Sequence, residues 1–348
     1  MMKIIKYLGY VLIVIFAFVF SLVLFVVFTD YVPDEIEIHE YVNRVDGALG
    51  DELTVTIFNM GYCGLDKGQD FFMDGGTGSR SSSEEQTLLN LENNIDAMKV
   101  VNSDIYLFQE IDIDSTRSFR IDQMSEIVKA FSDYNYSFAH NYKVPWVPIP
   151  LNKPMGKAES GLLTLVNGEI ESATRYNLPN DQTIPDKYFL LDRCMDEIIL
   201  PLGNGKTLHM INLHLSAYDA AGVIKKEQMQ FLRTFIKKLD FSDDYYIFGG
   251  DWNQLLSKDI VIDRDKYNPE WLGVPPTEFD DLPVTWGYDI STNTVRDLYE
   301  AYNPGSTFET VIDGFLVSDN IEIVEIHTID AGFENSDHNP VTMEIVFK

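Results

Sequence analysis

Four short polar clusters hold the side chains of this sequence that are best suited to chemistry. Each cluster directly follows a predicted strand; they are Gln109-Glu110, Asn212-Leu213-His214, Gly250-Asp251-Trp252-Asn253 and Ser336-Asp337-His338. Carboxylates, imidazoles and an amide supplied by several strand ends can bind a hard cation and cleave a phosphate ester. One such cluster is often a plain turn, whereas four in the same setting predict a shared site.

The carboxylates Glu110 and Asp337 are the expected ligands of a divalent cation. Glu110 ends an apolar strand, where its side chain leaves the core and enters a cleft. Mg²⁺ prefers oxygen ligands and is usually held by a few carboxylates together with water and substrate oxygens. Asp337 is expected to point away from its neighbour His338 along an extended backbone, which leaves it free to ligate the metal.

Asp251 and Asn253 follow a buried strand and a pair of glycines that let the backbone turn tightly. Alternation places both polar side chains on one face, on either side of Trp252. A carboxylate there can take a proton from water, and the amide can hold that water or a phosphate oxygen without adding charge. Gly, Asp and Asn also build ordinary turns, so this cluster alone leaves both interpretations open.

The two histidines could meet the negative charge that develops on a phosphoryl group. Histidine can carry a positive charge near neutral pH, and Asp313, on another core strand, could orient and charge the imidazole of His338. His214 shares one strand face with Asn212, while the neighbouring leucines face the other way. A structural, hydrogen-bonded histidine is the alternative in both cases. Taken together, the clusters fit in-line phosphoryl transfer with a metal and an acid–base pair.

The sequence offers no context for a covalent serine or cysteine nucleophile. It contains no G-x-S-x-G pattern, and neither Cys63 nor Cys194 has an evident histidine partner along the chain. Two cysteines exclude a disulfide framework, although a single bridge between them stays open.

Alternating apolar segments and helical patterns supply the elements that would position these clusters. Thr87–Val101 and Ala221–Leu239 carry apolar residues at three- and four-residue steps and are predicted helices. The predicted strands are Leu53–Asn59, Asp104–Glu110, Gly161–Val166, Leu208–Leu215, Tyr245–Gly249, Ile312–Val317, Ile321–Ile329 and Val341–Phe347. Strands mixed with helices, and crowded late in the chain, favour a layered α/β sandwich over a regular βαβ repeat.

The N-terminal stretch 7–29 carries no charge and is rich in Leu, Val, Ile and Phe. It is longer than the roughly 20 residues that a bilayer-spanning helix needs. Lys3 and Lys6 precede it and acidic residues follow, so the positive-inside rule predicts a cytoplasmic N-terminus and an extracytoplasmic remainder at the cell membrane. Residues 1–29 are then a stub and anchor, 30–50 an acidic linker and 51–348 one domain. A cleaved signal peptide is the competing interpretation.

Two loops and two arginines are candidates for contacts with a substrate. The glycine- and serine-rich loop 66–85 could cradle phosphate through backbone N–H groups, or it could be a surface loop. The proline-rich segment Val144–Pro154 could gate substrate or touch the membrane, and an ordinary rigid loop is equally consistent. Arg117 and Arg193 could each form a fork on a phosphate or a plain salt bridge.

The acidic balance of the chain bears on its partners. The 55 acidic residues against 26 basic ones give a formal charge of −29. Nonspecific binding to duplex nucleic acid depends on lysines and arginines that meet phosphates, so nucleic acid is the less favoured substrate. A local basic cleft could still serve a nuclease. No feature of the sequence predicts a protein partner.

From Leu53 to Lys348 the chain resembles the endonuclease/exonuclease/phosphatase superfamily, the metal-dependent phosphoesterases related to DNase I. The motifs, in the family's order, are IFNMG with Asn59, LFQE with Glu110, NLHL with His214, GDWN with Asp251 and Asn253, VIDGFLVS with Asp313, and SDHNPV with Asp337 and His338. The resemblance implies a four-layer α/β/β/α sandwich with two stacked mixed sheets, here preceded by one N-terminal transmembrane helix.

The resemblance also implies a metal site. Glu110 would bind Mg²⁺, with Asp337 and Asn59 close by, and Mn²⁺ could replace Mg²⁺. Some nucleases of the family carry a further aspartate two residues after the first asparagine, where this sequence has Gly61.

The remaining matched residues would act on the phosphate ester. The resemblance implies that Asp251 activates or orients the attacking water and that Asn253 and His214 contact the scissile phosphate. His338, paired with Asp313, would stabilise the pentacovalent phosphorus.

These features predict a membrane-anchored, Mg²⁺-dependent phosphodiesterase or phosphatase. It would act at the outer membrane face on a small or lipid-borne phosphate ester. An extracytoplasmic nuclease of the same superfamily is the first alternative. The second is a non-catalytic domain that only binds phosphorylated ligands, although every matched position holds a competent residue.

Overall fold

The first element is a helix, α1 (Met2–Phe28), which contains most of the stretch predicted to span a membrane. The structure, a computed structural model, describes residues 2–348 except 181–183, 220–221, 264–265, 268 and 270. Ile4–Phe28 has a mean hydropathy of 3.4 and is not buried against the rest of the protein. By length and composition this helix can cross a bilayer, as either an anchor or a signal sequence.

The remaining elements alternate between strands and a few helices. In chain order they are β1 (Ile36–Ile38), β2 (Tyr41–Val42), β3 (Glu52–Asn59), α2 (Glu84–Val101), β4 (Ile105–Asp112), α3 (Gln123–Ala130), β5 (Asn135–Val147), β6 (Gly156–Val166), β7 (Ser172–Asn177), β8 (Cys194–Pro201), β9 (Thr207–His214), α4 (Val223–Ile236), β10 (Asp244–Asp251), β11 (Val284–Gly287), β12 (Val295–Arg296), β13 (Glu309–Thr310), β14 (Asp313–Ser318), β15 (Ile321–Thr328) and β16 (Val341–Phe347).

Most of the strands form two seven-stranded mixed sheets. The first sheet has the order β1-β7-β8-β9-β10-β14-β11, and the second has the order β15-β16-β3-β4-β6-β5-β2. Each sheet contains one parallel pair, β9 with β10 in the first and β3 with β4 in the second. The carboxyl ends of these four strands carry the polar clusters, because His214, Asp251, Asn59 and Gln109 lie at or near them.

The sheets stack face to face, and helices cover their outer faces. The inner faces of both sheets meet in one apolar core, which includes Ile57 and Leu107 from one sheet and Met210 and Phe315 from the other. Helices α2 and α3 pack on the outer face of the second sheet, and α4 packs on the outer face of the first. The four-layer α/β/β/α sandwich is confirmed. Burial of apolar strand faces on both sides requires this layering.

The predicted elements match the observed ones closely. All eight predicted strands are present, although β6 begins five residues earlier than expected and β10 extends to Asp251. Helix α2 begins at Glu84, where the side chain of Ser83 accepts a hydrogen bond from the Gln86 amide and caps the helix. Helix α4 is observed from Val223; the predicted start, Ala221, lies outside the described residues.

The predicted linker is not an unstructured connection, because it contributes one short strand to each sheet. Within residues 30–50, β1 pairs with β7 at the edge of the first sheet and β2 pairs with β5 at the edge of the second. His39, between the two strands, holds Asp196 through a 2.7 Å contact between Nε2 and Oδ1. The chain after α1 is therefore clamped to both sheets.

The two cysteines are free and buried, so the bridge left open by the sequence is absent. Cys63 packs with the α2 layer, whereas Cys194 lies in a separate cluster with Ala139 and Leu162. Burial raises the pKa of each thiol to about 12. Both residues therefore act as small apolar side chains at neutral pH.

Candidate active site

The register of the first sheet places three of the predicted residues side by side. Asp251 of β10 pairs with His214 on the parallel neighbour β9 and with Asp313 on the antiparallel neighbour β14. Gly250, with φ of 148°, precedes Asp251, and a Cβ there would lie 1.9 Å from the Leu213 carbonyl oxygen. Only glycine lets β10 approach β9 this closely at the site.

We therefore expect Gly250→Ala to destabilise the protein. The added methyl group would force the β9 and β10 backbones apart, and the residue would keep an unfavourable φ, so the free energy of unfolding should fall by roughly 3 kcal/mol. Gly203→Ala is the control, because the nearest atom to its added Cβ is 3.5 Å away. Urea unfolding followed by tryptophan fluorescence measures both. Equal unfolding midpoints for the two variants would show that the close approach is not required.

Four groups converge on the carboxylate of Asp251. Its Oδ2 lies 3.2 Å from Nε2 of His214, 3.7 Å from Nε2 of His338 and 3.1 Å from Nδ2 of Asn59. Its Oδ1 accepts the Asn253 backbone N–H at 2.9 Å. Burial raises the pKa of Asp251, but His214 and His338 outweigh it and hold the pKa below the usual range. Asp251 is therefore an anion at neutral pH.

His338 and Asp313 form the pair that the sequence predicts. Nδ1 of His338 lies 2.9 Å from Oδ2 of Asp313, and both side chains are buried. Burial lowers the pKa of His338, but the charge and hydrogen bond of Asp313 outweigh it and raise the pKa to about 10. The imidazole is accordingly a cation at neutral pH, and its second nitrogen lies on the side of Asp251.

His214 differs from His338 in charge. Burial and the nearby Arg193 lower the pKa of His214, so its imidazole is neutral at pH 7. With Nε2 beside the anionic Asp251, the proton belongs on Nε2, and Nδ1 is a buried acceptor that no described residue hydrogen-bonds. The two histidines thus offer one cation and one neutral group to the same cavity.

Glu110 and Asn253 stand in a strained backbone conformation. Their φ angles are 57° and 51°, a region that non-glycine residues seldom adopt. Glu110 lies where the pairing of β4 with β6 shifts by a bulge, which turns its side chain toward the cavity. The amide of Asn253 donates to the Leu215 carbonyl at 2.9 Å, which fixes the side chain within the cavity wall. Strain of this kind is typical of functional sites.

Arg117 forms a salt bridge, which is one of the two alternatives that the sequence left open. Its guanidinium is therefore not free to bind a phosphate. Its Nε and Nη2 bind the two oxygens of Asp112 at 3.1 and 2.9 Å, and its guanidinium lies 3.9 Å from the centre of the Tyr62 ring. Nη2 is also 3.6 Å from Oε2 of Glu110. Arg117 therefore holds Glu110 in place from one side. Asp112 was not among the predicted residues, although it lies two positions after Glu110 in the same strand.

Arg193 keeps an unused donor, unlike Arg117. It is buried in the cavity wall, and among the described residues its Nη1 has no hydrogen-bond partner. Burial lowers the pKa of Arg193, and the negative charges of Glu110 and Asp251 oppose that effect. A buried guanidinium with an unused donor is suited to a phosphate oxygen.

Glu110, Asp337 and Asn59 fit a divalent cation. All three line the cavity, and the charge of Glu110 adds to burial in raising the pKa of Asp337 to about 6. Neither Lys nor Arg forms a salt bridge with Asp337 in the part of the chain that the structure describes. A Cβ on Gly61 would lie 2.5 Å from Oδ1 of Asp337, so a side chain at position 61 would displace this carboxylate.

A second group of side chains also brings possible metal-ligand atoms close together. Ligand atoms of Asp251, Asp313 and His338 lie within 4.8 Å of one another, close enough to share an ion. His338 and Asp313 already use their facing atoms in a hydrogen bond. Mg²⁺ prefers oxygen ligands, whereas this group would supply a protonated imidazole nitrogen. The Glu110 and Asp337 side of the cavity is the better cation site.

The cavity walls include residues that the sequence did not single out. Loop 66–85 supplies Phe71 and Asp74, and Tyr218 donates its hydroxyl to Asp74 at 3.1 Å. The phosphate cradle that the sequence left open lacks two of its glycine amides, because the Gly78 amide donates to Asp70 and the Gly76 amide donates to Phe71. No local pattern marks these wall residues, since long loops bring them together. The cavity volume is about 100 Å³.

Val144–Pro154 is only partly a loop. Its first four residues complete β5, and Val144 and Val147 among them pair with β6. Beyond the strand, Ile149 and Leu151 are exposed, with 45% and 86% of their surfaces accessible.

Comparison with known proteins agrees with this architecture. No family model matches the chain. A stretch of 107 residues is 36% identical to sphingomyelinase C from Listeria ivanovii, and it covers 28% of this chain and 30% of that protein. The chain thus matches less than a third of the length of this relative.

Several solved structures share the fold. An endonuclease/exonuclease/phosphatase from Beutenbergia cavernae superposes with a TM-score of 0.58 at 14% identity, over 85% of this chain and 72% of that one. TDP2 from D. rerio, solved with a single-strand DNA product, gives a TM-score of 0.53 at 13% identity, over 84% and 98%. The chain therefore shares the DNase I-like fold of these structures, which is the fold that the resemblance in its motifs implied.

Proposed function

We propose that the protein is a divalent-metal-dependent phosphoester hydrolase. The observation that supports this proposal is the meeting of two carboxylates, an anionic aspartate, a cationic imidazole and a free guanidinium around one cavity. A cation held by Glu110, Asp337 and Asn59 would neutralise charge on the phosphate.

The remaining residues have distinct parts in the proposed reaction. Asp251, whose pKa is held low, is a weak base, so its role is to orient the attacking water with its oxygens. His338, held as a cation by Asp313, stabilises the charge that develops on the phosphoryl oxygens. Arg193 and neutral His214, which also line the cavity, would contact the phosphate.

The substrate we propose is a small or lipid-borne phosphodiester. The cavity of about 100 Å³ is smaller than the roughly 300–1,000 Å³ of most ligand sites, so it accommodates little more than the reacting group. The net charge of −29 disfavours long nucleic acids. The partial similarity to sphingomyelinase C and the N-terminal helix favour a lipid.

We place the domain on the outer face of the cell membrane and propose Mg²⁺ as the cation. The support for this side is the charge pattern around α1, with Lys3 and Lys6 before it and acidic residues after it. Oxygen ligands dominate the proposed site, which suits Mg²⁺ and also Mn²⁺.

A substrate panel tests the function. Full-length protein in detergent micelles with Mg²⁺ is offered bis(p-nitrophenyl) phosphate, sphingomyelin, phosphatidylcholine and a single-stranded DNA oligonucleotide. We expect hydrolysis of the soluble diester, and we expect a lipid to be cleaved at least ~10-fold faster than the oligonucleotide, because an acidic surface repels a polyanion. A protein that hydrolyses none of these diesters would refute the proposal. Faster cleavage of DNA would favour the nuclease alternative.

A further inference from the structure

A second cavity, the juxtamembrane groove, lies between the segment that follows α1 and the surface formed by β7 and α4. Its lining comes from residues 30–36, 176–180, 187, 192 and 231–238. Its volume is about 780 Å³, within the roughly 300–1,000 Å³ that is usual for ligand sites. It is much larger than the catalytic cavity, so it has room for an extended ligand.

Apolar side chains make up slightly more than half of the groove lining, and the rest is polar or charged. Tyr176 and Phe235 contact each other edge to face with ring centroids 5.2 Å apart. Phe231, Leu178 and Val32 extend this surface, and Val32 is 78% exposed. The charged lining residues are of both signs, with two lysines against three carboxylates. An apolar chain suits this surface better than a strongly charged ligand.

The groove begins close to the end of the membrane helix. Helix α1 ends at Phe28, and Tyr31 already lines the groove. An extended chain covers at most about 3.6 Å per residue, so Tyr31 lies within about 11 Å of the helix end. The segment is held there, because β1 and β2 join the edges of the two sheets. With α1 in a bilayer, the groove meets the head-group region.

A single segment of chain separates the groove from the catalytic cavity. Leu191 and Arg193 line the catalytic cavity, whereas Lys187 and Asp192 of the same segment line the groove. The Tyr142 hydroxyl fixes this segment by donating to the Phe189 carbonyl at 2.8 Å. The two cavities therefore share the segment 187–193 as a common wall.

We propose that the juxtamembrane groove binds the apolar chain of a lipid phosphodiester whose phosphate enters the catalytic cavity. This inference rests on the proposed function and specifies its substrate class. Water adds to phosphorus, the P–O ester bond breaks, and the leaving oxygen takes up a proton, which yields an alcohol and a phosphomonoester. The groove contributes binding of the chain and takes no part in the chemistry.

Blocking the groove tests the inference. Thr234 is exposed on α4 and lines the groove, so Thr234→Trp fills it. Gln230→Trp is the matched control, because Gln230 is exposed on the same helix and lines a different cleft. Full-length protein in nanodiscs is assayed with sphingomyelin, with phosphatidylcholine and with bis(p-nitrophenyl) phosphate. Thr234→Trp should lower the ratio of lipid to soluble-diester turnover by roughly tenfold. This factor corresponds to the loss of hydrophobic binding by about two methylene groups of the lipid chain.

A binding measurement accompanies the kinetics. Phosphatidylcholine with a photoreactive diazirine in its acyl chain should form adducts on peptides 176–180 or 231–238 of the wild type. Thr234→Trp should lose these adducts, and Gln230→Trp should keep them.

The outcomes separate the inference from the proposed function. Equal ratios and equal labelling for the two tryptophan variants would overturn the inference, as would a wild type that cleaves the soluble diester but neither lipid. The proposed function would survive both results. In these assays it fails when the wild type hydrolyses none of the three substrates.

Discussion

Replacing His338 by alanine is expected to lower the turnover of bis(p-nitrophenyl) phosphate by roughly two to three orders of magnitude. The imidazole is buried, cationic and held by Asp313 at 2.9 Å. It lies on the cavity side where Asp251 and Asn59 also point. Its removal would take away a preorganised positive charge and would leave Asp313 and Asp251 without their shared counterion.

The measurement is kcat for the purified full-length protein at saturating Mg²⁺. His327→Ala is the control, because His327 is exposed on β15 and does not line the cavity. Circular dichroism and thermal melting establish that each variant is folded. A folded His338→Ala protein that loses less than about tenfold in turnover would contradict the assigned role.

The strand-end residues of the site were accessible from sequence because their placement is local. In a strand, side chains alternate with a period of two, so a polar residue after an apolar run leaves the core at a known point. Asp251 and His214 show this, since their strands end at them and pair in register. The glycine pair before Asp251 predicted a tight turn, and the structure adds that Gly250 allows the close approach of β10 to β9.

Other features of the site depend on contacts that are distant in sequence. The Arg117 fork binds Asp112 and leaves Arg193 as the free guanidinium, and no local pattern distinguished the two arginines. The bulge that turns Glu110 into the cavity arises from the pairing of β4 with β6. Its positive φ is set by this tertiary context rather than by any preference of glutamate.

The structure of the segment after the membrane helix also could not be predicted from local sequence patterns. Its acidic composition and Pro33 predicted a linker, yet β1 and β2 within it add to both sheets. Short edge strands of two or three residues carry too little alternation to be recognised from sequence. The juxtamembrane groove could not be predicted from sequence either, because it forms only when this segment lies against β7 and α4.

Removal of the divalent cation is expected to lower phosphodiester hydrolysis more than any of the substitutions described above. Without it, the carboxylates of Glu110 and Asp337 would repel the negatively charged phosphodiester, and Arg117, which already binds Asp112, would offset only part of that charge. Replacing Glu110 by glutamine keeps the shape of the side chain and removes one ligand charge. Metal affinity should then fall by at least ~10-fold, since even groups behind metal ligands are often worth that much.

The most direct measurement is a Mg²⁺ titration of phosphodiester hydrolysis after treatment with EDTA. It compares the wild type with Glu110→Gln and with Glu92→Gln, an exposed glutamate on α2. We predict no activity above background in EDTA, full recovery with Mg²⁺ for the wild type and Glu92→Gln, and a Mg²⁺ requirement at least ~10-fold higher for Glu110→Gln. Hydrolysis that persists in EDTA, or a Glu110→Gln titration identical to that of the wild type, would contradict the proposed metal-dependent site.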